Sequence, residues 1–307
     1  MNKKRRMTGY RCRGAVAVAF AINLASVFVV VAQEERGSVG SIVSADTARA
    51  EAMLAEIRGH TNGLALWWTG HNGWLIKSDG VLIGTDLVLA DPGRRKNPPP
   101  VSAEQIAPML NVSLITHGHG DHFNGPTTRI LLRKSKCVFV LPASCLDEAK
   151  QFGIPAERIV VAHPRESFEI QGIKVDALRA IHGNKRGAVY FDANLEDCGY
   201  VLHLGNKTVM QPGDSVLLED HLFVKHVNVL LFSPTEHNWL IEDSVTAIQS
   251  LEPDVILPQH RDTYPTNEQN RFWTKGFPFE VKERLPKELQ KRFRVVEMGE
   301  RVFVAYQ

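Results

Sequence analysis

Ala50, Leu54 and Ile57 recur at helical spacing, so a helix is expected from Asp46 as its cap to a stop at Gly59. From residue 64 the pattern shortens to β-rich runs at 64–68, 74–77, 81–83 and 87–90. Ser78-Asp79-Gly80 reads as a hairpin turn between the second and third. Strand and helix patterns then alternate. Strands are expected at 112–115, 137–141 and 159–161, with a helix at 143–152. Gln171-Gly172 and Gly205-Asn206-Lys207 mark two further hairpins, joining 168–170 to 173–178 and 200–204 to 208–211. A strand at 227–232, a helix at 242–251, a strand at 255–257, a helix at 285–292 and a closing strand at 301–305 complete the order.

Hairpins come first and mixed strand and helix follow, in both halves of the chain. Two sheets packed face to face, with helices outside, bury both sets of apolar faces. Strand ends then deliver loops to one edge, where function concentrates.

The 307 residues are 44% hydrophobic and 23% charged, an ordinary globular balance with a net charge of +2. Part of the basic excess sits in the first thirteen residues, at Lys3, Lys4, Arg5, Arg6, Arg11 and Arg13. Without them the chain is mildly acidic, which argues against a nucleic-acid partner. The uncharged run 14–32 follows, then small residues before Gln33. Residues 1–32 therefore read as a signal peptide, or as an N-terminal membrane anchor if retained. The expected location is exported, periplasmic or extracellular, with membrane contact only through 14–32. Residues 33–63 read as linker and helix, and 64–307 as the functional domain. Cys137, Cys145 and Cys198 form no disulfide framework and no CxxC pair.

The chemistry concentrates at Thr116-His117-Gly118-His119-Gly120-Asp121-His122. Imidazoles and a carboxylate that close together fit a shared divalent metal, because neutral imidazole and carboxylate are ligands that zinc accepts. Gly118 and Gly120 are expected to let the loop turn tightly. Further donors must arrive from later loops. His182, Asp214 and His260 each follow an apolar strand, as the first cluster does. His203 lies mid-strand, and His221 and His226 are expected to be solvated.

His117-x-His119-x-Asp121-His122, then His182, Gly213-Asp214-Ser215 and Pro258-Gln259-His260, resemble the ordered metal motifs of the metallo-β-lactamase superfamily. Within it the chain looks most like the L-ascorbate-6-phosphate lactonase group and its metal-dependent hydrolase relatives. Gly70-His71-Asn72-Gly73, residues 153–159, Pro212-Gly213-Asp214-Ser215 and residues 255–262 carry that likeness. His182 sets the chain apart from the lactonase itself and is shared with the broader hydrolases. The resemblance implies an α/β fold, the αββα four-layer sandwich, and one or two divalent ions, and seven donors are the count expected for two. Zinc is foremost among them, with manganese or iron compatible. It assigns His117, His119 and His182 to one ion and Asp121, His122 and His260 to the other, with Asp214 bridging.

The expected activity is hydrolysis of a lactone or other carboxylic ester by a metal-bridging hydroxide. Asp121 and His237 are the candidate catalytic side chains. Candidate substrate contacts are His71, His237, Arg261 and Tyr264, with Arg261 and Tyr264 suited to an anionic group on a small molecule. The alternatives are a phosphodiesterase of the N-acyl phosphatidylethanolamine phospholipase D type and a non-catalytic envelope binding protein. Oligomeric state is left open.

Overall fold

A computed structural model describes residues 47–90, 93–183 and 193–306. The expected leader or anchor (1–32) and the Asp46 cap lie outside the described residues. No helix among the described residues is long and apolar enough to cross a membrane.

Helix α1 (residues 47–59) turns Ala50, Met53, Leu54 and Ile57 into a buried cluster. Two sheets follow. The first runs β13-β1-β2-β3-β4-β5-β6 and the second β12-β11-β10-β9-β8-β7. Their members are β1 Leu64–Gly70, β2 Gly73–Ser78, β3 Val81–Thr85, β4 Val112–Leu114, β5 Val138–Pro142, β6 Ile159–Ala162, β7 Ser167–Ile170, β8 Ile173–Arg179, β9 Cys198–Leu204, β10 Lys207–Gln211, β11 Val229–Phe232, β12 Val255–Pro258 and β13 Arg301–Val304, and the helices between them include α2 Ala103–Ile106, α4 Leu146–Phe152 and α6 Ile241–Leu251.

Period-two alternation assigns each strand's faces. In β1, Leu64, Leu66 and Trp68 join Val175, Tyr200, Leu202, Val229 and Leu257 in the layer between the sheets. Ala65 and Trp67 face the other way, toward α1 and its helical neighbours. In β11, Leu230 and Phe232 pack with Ala247, Ile248, Val281 and Leu289 on the far side of the second sheet. These three apolar layers make the αββα sandwich. Each fully buried aliphatic or aromatic side chain contributes about 1.5–3 kcal/mol to it.

The structure corrects several local expectations. Residues 87–90 are not a strand. Asp86 takes a left-handed φ of 42° and turns the chain out of the sheet. The freed N–H groups of Leu89 and Ala90 then donate to Thr127 Oγ1 at 2.9 and 3.0 Å. The helix expected at 285–292 starts two residues later, and a separate helix precedes it. Helix α8 (Pro278–Arg284) stops before Leu285, and α9 (Lys287–Arg292) begins after Pro286. The residue before a proline avoids helical backbone, and Leu285 is extended. Helix α3 (Gly125–Lys134) was not expected. Asn124 caps it, accepting from Thr127 N at 2.9 Å.

His221 is fully buried rather than solvated. It sits in α5 (Glu219–Leu222), where Nδ1 accepts from Leu218 N and Nε2 bonds the Arg179 carbonyl at 3.0 Å. Its neighbour Asp220 accepts paired N–H donors from both Arg165 and Arg179, at 2.7 to 3.1 Å. Those bonds hold the Asp220 carboxyl well below the usual range. A depressed carboxylate stabilises the fold above its unfolded pKa and loses that contribution as pH falls through its folded value. Asp220→Asn is therefore expected to lower Tm by a few degrees at neutral pH. The gap from wild type should narrow below about pH 4 in a pH series of thermal melts.

Candidate metal centre

The strand ends of both sheets meet at one edge. The loop after β4 brings Thr116 through His122, and the loops after β8 and β10 bring His182 and Asp214. The loops after β11 and β12 bring His237 and His260, and the β1–β2 turn brings His71 and Asn72. His71 and His260 both adopt left-handed backbone, with φ of 53° and 54°. Such φ values are uncommon for bulky residues and persist only where the surroundings enforce them. Here His260 N donates to the His71 carbonyl at 2.9 Å, and His71 N donates to Thr263 Oγ1 at 2.6 Å.

Gly118 and Gly120 do not serve as expected. Neither is left-handed, and a Cβ on Gly120 would meet no described atom within 4 Å. The glycine that the site needs is Gly213, at φ 68°, where a Cβ would stand 3.0 Å from Thr116 Cβ. It lets the chain before Asp214 pass close to the histidine loop.

Donor atoms gather in overlapping groups, each within 4.8 Å. His117, His119 and His182 form one. His71, Asp121, His122 and His260 form another. Asp214 joins His117 with His122, and His182 with His237. One oxygen, Asp214 Oδ2, stands 2.8 Å from His237 Nε2, 3.0 Å from His260 Nε2, 3.4 Å from His122 Nε2 and 4.0 Å from His182 Nε2. His182 Nε2 and His117 Nε2 are 3.1 Å apart. His119 is exposed and Asp121 is half-buried, so these two mark the solvent side.

Electrostatics keeps most of these rings neutral. Burial first, and the His260 imidazole second, push His71 down to about 3. Burial also lowers His182 to about 3, and lowers His117 and His260. Burial pushes Asp214 the other way, but the imidazoles of His260, His122 and His237 hold it well below the carboxylate range. Asp121 is likewise held down against burial, by the His71 hydrogen bond. For His122, the Asp214 and Asp86 carboxylates outweigh burial and raise it well above its ordinary value.

The surrounding bonds fix ring tautomers. Asp86, fully buried, accepts from Thr116 N at 2.9 Å, from Thr116 Oγ1 at 2.8 Å and from His122 Nδ1 at 3.0 Å. Because the Thr116 hydroxyl donates to Asp86, it accepts from His117 Nδ1 at 3.0 Å. Asp86 thereby turns the Nε2 atoms of both His117 and His122 toward the centre. Beneath Asp214, Asn72 Nδ2 donates to Oδ1 at 3.0 Å. Asn72 is itself held by Ser233 and Gln211, and Gln211 by Gln259 and Trp74 Nε1 beyond it. Asp86, Thr116 and Asn72 escaped the sequence reading of function. The signal for Asp86 was a single charge inside the apolar run 81–90.

A divalent ion fits these residues. Among the described residues, His122 Nε2 is buried without a hydrogen-bond partner and faces Asp214. His237 Nδ1 bonds the Phe272 carbonyl at 3.1 Å, which leaves an Nε2 lone pair beside a carboxylate oxygen. A cation between them relieves that repulsion. The donors are nitrogen and oxygen only, and the described cysteines are free and buried outside the donor groups.

Of the candidate substrate contacts, His71 and His237 lie among the donors themselves, His71 with Nε2 3.0 Å from Asp121 Oδ2. Tyr264 packs edge-on against His71, centroids 5.1 Å apart. Arg261 is a correction. Its guanidinium is buried, donates to Asp262, Pro258 O and Val296 O, and stacks 4.3 Å over Trp68. Left-handed backbone at His260 and Asp262 on either side fits that placement, and the group is committed to structure rather than to an anion.

The sequence profile of the Beta-lactamase superfamily domain matches residues 65–260, a span that contains every donor above. The chain belongs to the metallo-β-lactamase superfamily. A UPF0173 metal-dependent hydrolase of Desulforamulus reducens is 29% identical over 219 residues, covering 67% of this chain and 88% of that protein. Its namesake in Methanosarcina mazei is 27% identical over 214 residues, covering 67% and 87%. Among solved structures, the metallo hydrolase Igni18 of Ignicoccus hospitalis superposes with a TM-score of 0.62 at 20% identity, over 80% of this chain and 99% of that one. As a member of this superfamily the chain is a metal-dependent hydrolase.

Proposed function

We propose that this metal-dependent hydrolase cleaves a lactone or another carboxylic ester, with two divalent ions, zinc foremost. The observation that carries the reading is the single Asp214 oxygen set among four imidazole nitrogens. His117, His119 and His182 would hold one ion. Asp121, His122 and His260 would hold the other, with Asp214 between them and His71 within reach of the second group. Bound there, the ions supply Lewis acidity and bring the pKa of water toward about 7.

The chain's own side chains do the rest. Asp121 stands at the solvent side with His71 Nε2 on Oδ2, and besides helping to hold an ion its carboxylate would take the proton of the attacking water. The acyl C–O bond then breaks, and Asp121 returns that proton to the leaving oxygen. His237, anchored through Nδ1 on Phe272 O, would offer its Nε2, 2.8 Å from Asp214 Oδ2, as a further donor beside the ions. The choice of ester is supported by the lactonase-like stretches around Gly70, residues 153–159, Pro212 and residues 255–262.

A substrate screen of the metal-loaded chain tests the bond class. Phenyl acetate and simple γ- and δ-lactones should be hydrolysed, while bis(4-nitrophenyl) phosphate should turn over far more slowly. Phosphodiester cleavage without ester cleavage would replace this reading with the phosphodiesterase one.

A further inference from the structure

The His71 side of the centre is walled by aromatic rings. Trp273 meets the His71 ring at 6.0 Å and the Tyr264 ring at 5.5 Å, and Phe272 meets His237 at 6.0 Å. Exposure separates these rings. Tyr264 is buried and backs the wall, Trp273 is half-buried, and Phe272 is 38% exposed. Phe272 and Trp273 share α7 (Arg271–Thr274), a single turn of helix. The bond from His237 Nδ1 to the Phe272 carbonyl ties that turn to the donor cluster. The wall is therefore fixed by backbone, yet presents aromatic area to solvent.

A cation stands at its rim. The exposed Arg94 holds its guanidinium 5.6 Å from the Tyr264 ring centroid. The loop that carries it is pinned beside Tyr264 by Lys96 N–H donating to the Thr263 carbonyl at 2.8 Å. Pro98, Pro99 and Pro100 follow, which stiffens the loop. Arg261, adjacent to the ligand set in sequence, stacks on Trp68 instead, and among the described residues Arg94 is the arginine over the Tyr264 ring at this wall.

We infer that Phe272, Trp273 and Arg94 form the specificity wall of the site, and that it takes a flat apolar group bearing an anionic substituent beside the scissile bond. The inference rests on the hydrolytic reading above for the position of that bond. A flat ring against Trp273 and Phe272 removes apolar area from water on both partners. A guanidinium presents paired donors that match a carboxylate or phosphate. If α7 and Arg94 serve packing alone, ring-bearing and ring-free ligands bind alike.

Unreactive carboxylates separate these cases without any turnover. Calorimetric titration of the metal-loaded chain would compare acetate, benzoate, terephthalate and 4-carbamoylbenzoate. Wild type should bind benzoate about fivefold or more tightly than acetate. It should bind terephthalate about fivefold more tightly than 4-carbamoylbenzoate. Trp273→Leu and Phe272→Leu should bring the first ratio close to one, and Arg94→Ala should leave it. Arg94→Ala should remove the second preference, with partial rescue by Arg94→Lys. Equal affinity for acetate and benzoate in wild type, no binding of any probe, or ratios unmoved by the variants would overturn the wall. The predicted binding order without hydrolysis of any ester would instead overturn the bond class and leave the wall standing.

Discussion

Asp214→Asn is expected to lower ester hydrolysis by about a thousandfold or more, with the fold retained. The carboxylate faces four imidazole nitrogens through one oxygen and is braced by Asn72 through the other. An amide keeps the shape but removes the charge that would join two cations. Losing about 4 kcal/mol of transition-state stabilisation corresponds to a factor of about a thousand. The check is kcat alongside metal content on one preparation, with circular dichroism confirming the fold. Activity within about tenfold of wild type would show that Asp214 does not hold the reacting centre together.

Asp86→Asn is the second large effect. Asp86 is buried, yet it accepts three hydrogen bonds and orients the rings of His117 and His122. An asparagine must place N–H groups against at least one of those donors. Metal affinity is expected to fall about 10–100-fold. Stability should fall by about 1–3 kcal/mol from the unsatisfied buried donors. Chelator competition and urea unfolding measure the two separately. Unchanged affinity with lowered stability would reduce Asp86 to a purely structural role.

Much of this architecture was readable from the chain. The runs at 64–68, 74–77 and 81–83 marked β1, β2 and β3, and Ser78-Asp79-Gly80 marked the hairpin between the last two. The rule that an apolar strand ends in a donor led to His182, Asp214 and His260, and the structure sets all three in the donor groups. His237 was legible in the same way, as a polar residue past the end of β11.

What stayed hidden depended on backbone turns and distant partners. Residues 87–90 have strand-like composition, but the left-handed turn at Asp86 takes them out of the sheet. The partners of Asp86 lie 30 and 36 residues away, beyond any local pattern. Arg261 looked available because it follows His260, and only the packing against Trp68 shows that it is not. Helix α3 buries Thr127 and Thr128 beside Leu131, too few apolar positions to announce a helix. The wall on α7 combines residues 94, 264, 272 and 273, which tertiary packing alone brings together.

The metal content of the purified chain tests the central claim most directly. After reconstitution with zinc, manganese or iron and removal of loosely held ions, elemental analysis should find about two ions per chain. No retained ion with any of the three metals would contradict a dinuclear centre, and with it the hydrolytic account built on Asp214.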